Sequence, residues 1–146
     1  MALSSAILAG RPCTPDLDYS QRFRGIDDNL ITDLQEETVR YVVCWILSNI
    51  RPRKNVNKDY DSYTLKHMLE SDLGIYLTNN QFKDAMLFCG FCPVKVTDVN
   101  WMYCIKNVDS TRRCSFNLAL ERIKKAKEHP ANKTLLYKKF KEQNYL

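Results

Sequence analysis

Four polar residues near the middle of the chain have the types and spacing to contact nucleic acid. We call them the amide cluster: Asn79, Asn80, Gln81 and Lys83. Amide side chains can pair bidentately with adenine, a lysine neutralises phosphate, and a helix N-terminus offers free amide hydrogens to an anion. Phe82, Ala85 and Met86 repeat at helical spacing, so we expect them to face inward and leave the amide cluster on the outer face. The alternative is helix capping alone, because Thr78 and Gln81 also form a capping-box pattern.

A basic stretch precedes the amide cluster and could follow a sugar-phosphate backbone. It consists of Arg51, Arg53, Lys54, Lys58 and, on the next predicted helix, Lys66. Binding through such residues would weaken steeply with salt. A second set of lysines lies near the C-terminus: Lys124, Lys125, Lys127, Lys133, Lys138, Lys139 and Lys141. This set fits either a second backbone contact or the solvated face of amphipathic helices.

The cysteines are weaker candidates for chemistry. Cys89 and Cys92 have CxxC spacing, and Cys104 with Cys114 could complete a zinc site, but the second pair is spaced too widely for the usual pattern. Cys89 also belongs to the inward face of a helix, where a cysteine acts as a small hydrophobe. We therefore predict no metal ion. Because the chain has six cysteines and no export signal, we expect reduced thiols in a cytoplasm.

Nothing in the sequence predicts catalysis. The two histidines, His67 and His129, have no nucleophile or carboxylate at a telling spacing. There is no glycine-rich phosphate loop and no H-E-x-x-H motif, and four glycines leave little room for mobile active-site loops. We predict a binding protein and not an enzyme, with no cofactor and no small-molecule substrate.

Length and charge limit the organisation of the chain. Its 146 residues, 45% of them hydrophobic, suffice for one domain with a buried core, and no apolar run is long enough to span a membrane. The net charge is −4 over residues 1–37, +3 over 38–108 and +6 over 109–146. This acidic head could fold over the basic body and compete with nucleic acid, bind a basic partner, or remain a solvated tail.

The first predicted helix precedes the basic stretch. Thr32 and Gln35 form a capping-box pattern, so the helix is expected to begin there and to stop before Pro52. The following segment, 51–61, is polar and rich in turn-forming residues, which predicts an exposed loop.

Two further helices position the basic and amide residues. The second is capped by Asp61 or Ser62 and ends at Gly74, while the third follows Thr78 and ends at Gly90. Both carry apolar residues at helical spacing. The region is therefore predicted to be helix, short extended link, helix.

The remaining elements are a hairpin and two C-terminal helices. Apolar residues alternate between Val94 and Ile105, which predicts a β-hairpin. Helical periodicity returns at 117–128, and Asn132 can cap a last amphipathic helix. This order predicts a mainly α protein with a small β-hairpin, an α+β fold of winged helix-turn-helix type with additional C-terminal helices.

The domain organisation follows from the same pattern. An acidic, loosely ordered N-terminal segment is predicted at 1–31, a winged-helix-like domain at 32–108, and a basic C-terminal helical extension packed on it at 109–146.

Residues 50–101 resemble a family of small proteins encoded by phages and prophages. The segments IRPRKNVN, SYTLKHMLE and GIYLTNNQFKDAMLFCGFCPV are similar to the family pattern PRK, SYxLKH and GxYxTNxxFKxAMxxxGF. The family has no settled activity. The resemblance therefore implies a mobile-element origin, and with it the host cytoplasm, but no chemistry.

We predict a regulatory nucleic-acid-binding protein, directed to DNA in preference to RNA, whose third helix meets a groove while the basic stretch follows the backbone. The alternative is a protein-binding module that inhibits or modulates a host defence complex, similar in action to an anti-CRISPR protein.

Overall fold

The computed structural model describes residues 27, 29–109, 115–125 and 134–146. Over these residues the protein is mainly helical with one two-stranded antiparallel sheet, which confirms the α+β class. A short 3-10 helix, Ile31–Asp33, comes first. It is followed by α1 (Glu36–Asn49), β1 (Pro52–Asn57), α2 (Ser62–Leu73), α3 (Asn79–Phe88), β2 (Tyr103–Ile105), α4 (Phe116–Lys125) and α5 (Leu135–Glu142). None of the helices in the described ranges is long and apolar enough to cross a membrane.

Helix α1 begins later than its capping-box pattern predicts. Thr32 lies inside the 3-10 helix, and the residue before α1 is Gln35, whose side chain makes no capping hydrogen bond. The carboxylate of Asp33 accepts a 2.9 Å hydrogen bond from the backbone N–H of Leu30, which stabilises the 3-10 turn instead. Beyond this turn the apolar stripe is buried as expected, at Val39, Val42, Val43, Trp45 and Ile46.

The sheet does not form where the alternation predicts a hairpin. Strand β1 pairs antiparallel with β2, and α2 and α3 lie between them in the sequence, while residues 94–100 form turns and bends. The predicted loop at 51–61 therefore contains a strand. The small two-stranded antiparallel element is present, but β2 pairs with β1 and not with residues 94–97. The pairs Pro52–Ile105 and Asn57–Tyr103 leave extra residues in β1, so this strand bulges away from its partner.

Helix α2 has the ends that its sequence predicts. The Asp61 carboxylate accepts a 2.9 Å hydrogen bond from the backbone N–H of Thr64, which satisfies one of the free donors at the helix start. At the other end Gly74 has φ +66°, a left-handed conformation that glycine adopts without a Cβ clash. The link 75–78 then leads directly into α3.

Helix α3 is enclosed on all sides. Residues Asn80 to Phe88 are all buried, and the 3-10 helix, α1, α2 and α5 pack against it. Its capping box is confirmed: the Thr78 N–H donates to Oε1 of Gln81 at 3.0 Å, and the Gln81 N–H donates to Oγ1 of Thr78 at 3.1 Å.

The C-terminal helices join the same buried core. Helix α4 packs on α1, and α5 packs on α3. The ring centroid of Phe140 on α5 lies 5.3 Å from that of Phe88 on α3 and 5.8 Å from that of Phe116 on α4. Thr134 is the N-cap of α5, whereas Asn132, the expected cap, lies outside the described residues. The winged-helix assignment stays a prediction.

Candidate nucleic-acid interface

The amide cluster lies inside the protein. Asn80, Gln81 and Lys83 are only 2%, 6% and 4% exposed. Asn79 is partly exposed, but its side-chain amide donates to two acceptors in the 99–100 segment, at 3.0 and 3.1 Å. The prediction of an open outer face is therefore wrong. Helical periodicity could not show this, because it reports which residues face inward and not what covers the opposite side.

Asp27, a part of the acidic head, lies on the N-terminus of α3. Its carboxylate accepts a 3.1 Å hydrogen bond from the Thr78 hydroxyl, and its main-chain oxygen accepts one of 2.8 Å from Nδ2 of Asn80. Further along, the backbone N–H of Ile31 donates to Oδ2 of Asp84 at 3.0 Å. This segment therefore covers the place where a phosphate would meet the helix. The rest of the predicted 1–31 segment, residues 1–26 and 28, lies outside the described residues.

Lys83 is directed into the protein. Its Nζ lies 4.9 Å from the centroid of the Trp101 ring, a cation–π contact. Burial lowers the pKa of Lys83 below its usual value, and the charges of Asp27 and Asp98 act in the opposite direction. A buried ammonium held in this way cannot contact a phosphate.

The two arginines of the basic stretch support the fold. Arg51 donates from Nη1 to the main-chain oxygen of Leu47 at 2.7 Å and so caps the end of α1. Arg53 donates to the main-chain oxygens of Asn55 and Val56, at 3.0 and 2.9 Å, and braces the bulge of β1. Both arginines are half-buried, and part of the donor capacity of each guanidinium is used by the fold.

Lys66 is also used internally. Its side chain is 7% exposed, and its Nζ lies 3.2 Å from both carboxylate oxygens of Glu70. The same Nζ lies 5.8 Å from the ring centroid of Tyr63 and 5.3 Å from that of Tyr76. The ammonium thus holds two aromatic rings and is not exposed to solvent.

Exposed basic residues lie on β1 and directly after the two strands. We define the basic ribbon as Lys54, Asn55, Lys58 and Lys106, all of which are exposed. Lys106 is held beside the start of β1 by a 2.8 Å hydrogen bond from its N–H to the main-chain oxygen of Arg51. Asp59, also exposed, follows Lys58 in the turn after β1 and weakens the local positive potential.

The C-terminal lysines occupy outer helix faces. Lys124 and Lys125 on α4, with Lys138 and Lys141 on α5, are exposed. Lys127 and Lys133, and also His129, lie outside the described residues.

Two exposed tyrosines were missed by the sequence reasoning. We call Tyr63 and Tyr76 the tyrosine pair; they are 51% and 74% exposed. The ring of His67, one turn after Tyr63 on α2, makes an edge contact with it at 4.3 Å. The spacing of Tyr63 and His67 on the polar face of α2 was the local signal that could have revealed this surface.

The cysteines do not form the pairs that their spacing suggests. Cys92 is in a disulfide, whereas Cys44, Cys89 and Cys104 are thiols. The expectation of reduced cysteines is therefore wrong for Cys92, and Cys89 with Cys92 is not a CxxC redox pair. Within the described ranges no group of three or more His, Cys, Asp or Glu residues is arranged to hold a metal ion, and Cys114 lies outside them.

Comparison with protein-family models, curated protein sequences and solved structures finds no match for this chain.

Proposed function

We propose that the protein binds nucleic acid through the phosphate backbone, with the basic ribbon as the contact surface and without base reading by α3. The observation that carries this proposal is the bulge in β1. The register leaves residues 53–56 without regular partners, Arg53 braces the bulge from within, and Lys54 and Asn55 are exposed on it. Bulges of this kind redirect side chains away from a sheet.

The enclosure of α3 determines the mode of binding. Because the amide cluster is hydrogen-bonded or buried, presenting it to a groove would require Asp27 and the 99–101 segment to move away from α3. Phosphate contacts from an exposed ribbon require no such change. Contacts of this type set register and affinity but carry little sequence information, so we expect weak sequence preference.

The biological setting belongs to the same proposal. The resemblance to small phage proteins predicted from residues 50–101 is the ground for proposing a role in a phage or mobile element, and a regulatory protein that binds DNA would fit that setting. The Cys92 disulfide is not typical of a reducing cytoplasm. In this proposal the protein acts by binding, because the exposed lysines and the asparagine of the ribbon suit contacts to phosphate oxygens.

Fluorescence anisotropy with labelled DNA and RNA across a salt series tests the proposal. Three ribbon lysines that each neutralise a phosphate would give a slope of log K against log salt of about −2 to −3. The double variant Lys54→Glu, Lys58→Glu leaves only Lys106, so it should reduce the slope to about −1 or less in magnitude and remove most of the affinity. Lys124→Glu, Lys125→Glu on α4 makes the same charge change on another exposed surface and should bind nearly as the wild type does. Equal losses in the two variants would remove the ribbon from the proposal.

A second candidate function is supported by a separate groove. This groove of about 490 Å³ lies between α1, α2 and α4 and is lined mainly by Arg40, Tyr41, Cys44, Trp45, Leu73 and Phe116. Aromatic residues and arginine are enriched at protein interfaces, and Tyr41 is 54% exposed. This surface suits a protein partner, such as a component of a host defence complex.

A pull-down from host lysate after nuclease treatment separates the two functions. A partner that is retained by the wild type and lost with Tyr41→Ala would support the protein-binding function. Loss of all partners under nuclease would contradict it.

A further inference from the structure

We propose that the nucleic acid bound by the protein is single-stranded, and that its bases stack on the tyrosine pair, Tyr63 and Tyr76. This inference rests on the proposed function, because the basic ribbon supplies the phosphate contacts and the tyrosine pair adds contacts to the bases.

The two rings are held in place before any ligand binds. Both contact one ammonium, that of Lys66, which is fixed by Glu70 at 3.2 Å and is almost fully buried. The carboxylate of Glu70 also accepts a 2.9 Å hydrogen bond from the backbone N–H of Leu77, next to Tyr76, so the link that carries this ring is tied to α2. Side chains that are already ordered lose less conformational entropy on binding.

Both rings nevertheless remain open to solvent. Tyr63 and Tyr76 are 51% and 74% exposed, although a tyrosine ring gains from contact with apolar or aromatic surface. Base–aromatic stacking contributes about 1–3 kcal/mol per base and accepts any base, because every base has a π-face. The tyrosine pair therefore offers a sequence-tolerant platform that phosphate-binding lysines alone do not provide.

In the sequence, the basic ribbon residue Lys58 comes shortly before Tyr63. After Lys58 the chain turns and enters α2 at Ser62, whose backbone N–H donates to the main-chain oxygen of Trp101 at 2.7 Å and whose hydroxyl accepts from the Trp101 N–H at 2.9 Å. These bonds tie the first turn of α2, with Tyr63, to the segment that leads into β2. Lysines followed by exposed aromatic rings form the arrangement that binds single strands.

The class of nucleic acid follows from the access to base faces. In a duplex the bases are stacked on one another, and only their edges and the backbone are open to a protein. In a single strand the faces are free to stack on aromatic side chains. The ribbon could contact the phosphates of a duplex or of a single strand, whereas the tyrosine pair can stack only on the bases of a single strand.

Three labelled probes of equal length test the inference: oligothymidylate, a duplex, and an abasic strand with the same phosphates. A length of about 16 nucleotides matches the largest site size of a single OB-fold that binds single strands. The wild type should bind oligothymidylate more tightly than the other two. Tyr63→Ala and Tyr76→Ala should each weaken oligothymidylate binding by about 5- to 150-fold, the equivalent of one stacked base, without changing the salt slope. Tyr76→Phe should retain binding, because the ring is kept.

The matched control is Leu118→Ala, which removes a large side chain of similar exposure, 46%, from α4 and should leave binding unchanged. Equal affinity for oligothymidylate and the abasic strand, together with full binding by both alanine variants, would overturn this inference while the ribbon lysines still mattered. Absence of binding to every probe would overturn the proposed function itself. Thermal unfolding of each variant shows whether a loss of binding reflects a loss of fold.

Discussion

The main-chain oxygen of Asp27 accepts a 2.8 Å hydrogen bond from the side-chain amide of Asn80, so the start of the third α-helix is linked to a residue 53 positions earlier. The Asp27 carboxylate accepts a further bond from Thr78. The amide that appeared ready to read a base is thus a structural donor, and the segment before α1 acts as a clamp on α3.

Asp27→Ala tests this clamp. The variant loses the carboxylate acceptor of the Thr78 hydroxyl but keeps the main-chain oxygen that holds Asn80. We expect the free energy of unfolding to fall by about 1 kcal/mol, the typical effect of one hydrogen bond. Urea denaturation measures the change. Asp59→Ala, which removes an exposed carboxylate from the turn after β1, should have no effect, and equal losses in both would argue against the clamp.

Lys83→Met tests the effect of the buried ammonium. Because burial lowers the pKa of Lys83, between that pKa and the usual 10.5 the unfolded chain binds more protons than the folded one, so wild-type stability rises with pH in this range. At neutral pH we expect Lys83→Met to be more stable by about 1 kcal/mol, since an apolar side chain avoids the desolvation penalty and can contact Trp101.

The gain from Lys83→Met should shrink as the pH approaches 10.5. Urea denaturation at several pH values provides the measurement, with Lys124→Met, on an exposed site, as the control. A loss of stability in Lys83→Met would mean that the contact with Trp101 and the charges of Asp27 and Asp98 outweigh the burial of the ammonium.

Tyr103→Phe removes a hydroxyl that is buried and has no hydrogen-bond partner in the described part of the chain. We expect a gain of about 1 kcal/mol, because an unpaired buried polar group is destabilising. Burial and the charge of Asp61 raise the pKa of Tyr103 well above 10.0, so the folded state keeps a proton that the unfolded chain releases, and the wild type loses stability above pH 10. The advantage of Tyr103→Phe should therefore grow above that pH. Tyr76→Phe, at an exposed site, should show neither effect.

Reduction of the Cys92 disulfide should lower the free energy of unfolding by about 2–4 kcal/mol, because the unfolded chain regains conformational freedom. Denaturation with and without dithiothreitol measures this change. Cys92→Ala lacks the disulfide, so with or without dithiothreitol it should be less stable than the oxidised wild type. Cys104→Ala removes a buried thiol and keeps the disulfide, so its stability should still fall when dithiothreitol is added. Insensitivity of the wild type to dithiothreitol would contradict a stabilising disulfide.

The ends of α2 and α3 could be predicted because they depend on neighbours in the sequence. Asp61, Gly74 and the Thr78–Gln81 box act within a few residues of their own backbone groups. At Thr32 two local structures were possible. The sequence pattern predicted a helix cap by Thr32, whereas the structure has a 3-10 turn stabilised by Asp33. Such short-range competition is decided by small energies that a pattern does not rank.

The sheet and the site could not be predicted in the same way. Strand β1 is polar and basic, and its partner lies nearly 50 residues further along the chain. The alternation from Val94 to Ile105 therefore indicated the wrong partner for β2. The amide cluster was correctly placed in the N-terminal half of α3, but it is covered by Asp27 and by residues 99–101, which contribute nothing to the local pattern.

The enclosure of α3 also sets an order of events during synthesis. Phe88 packs against Phe140, which lies 52 residues later in the chain. Helix α3 therefore leaves the ribosome well before the helix that covers one of its sides, and until then its apolar face is open to solvent or to a chaperone. Substitutions at the buried positions of α5, Leu136 and Phe140, should accordingly reduce the yield of folded protein.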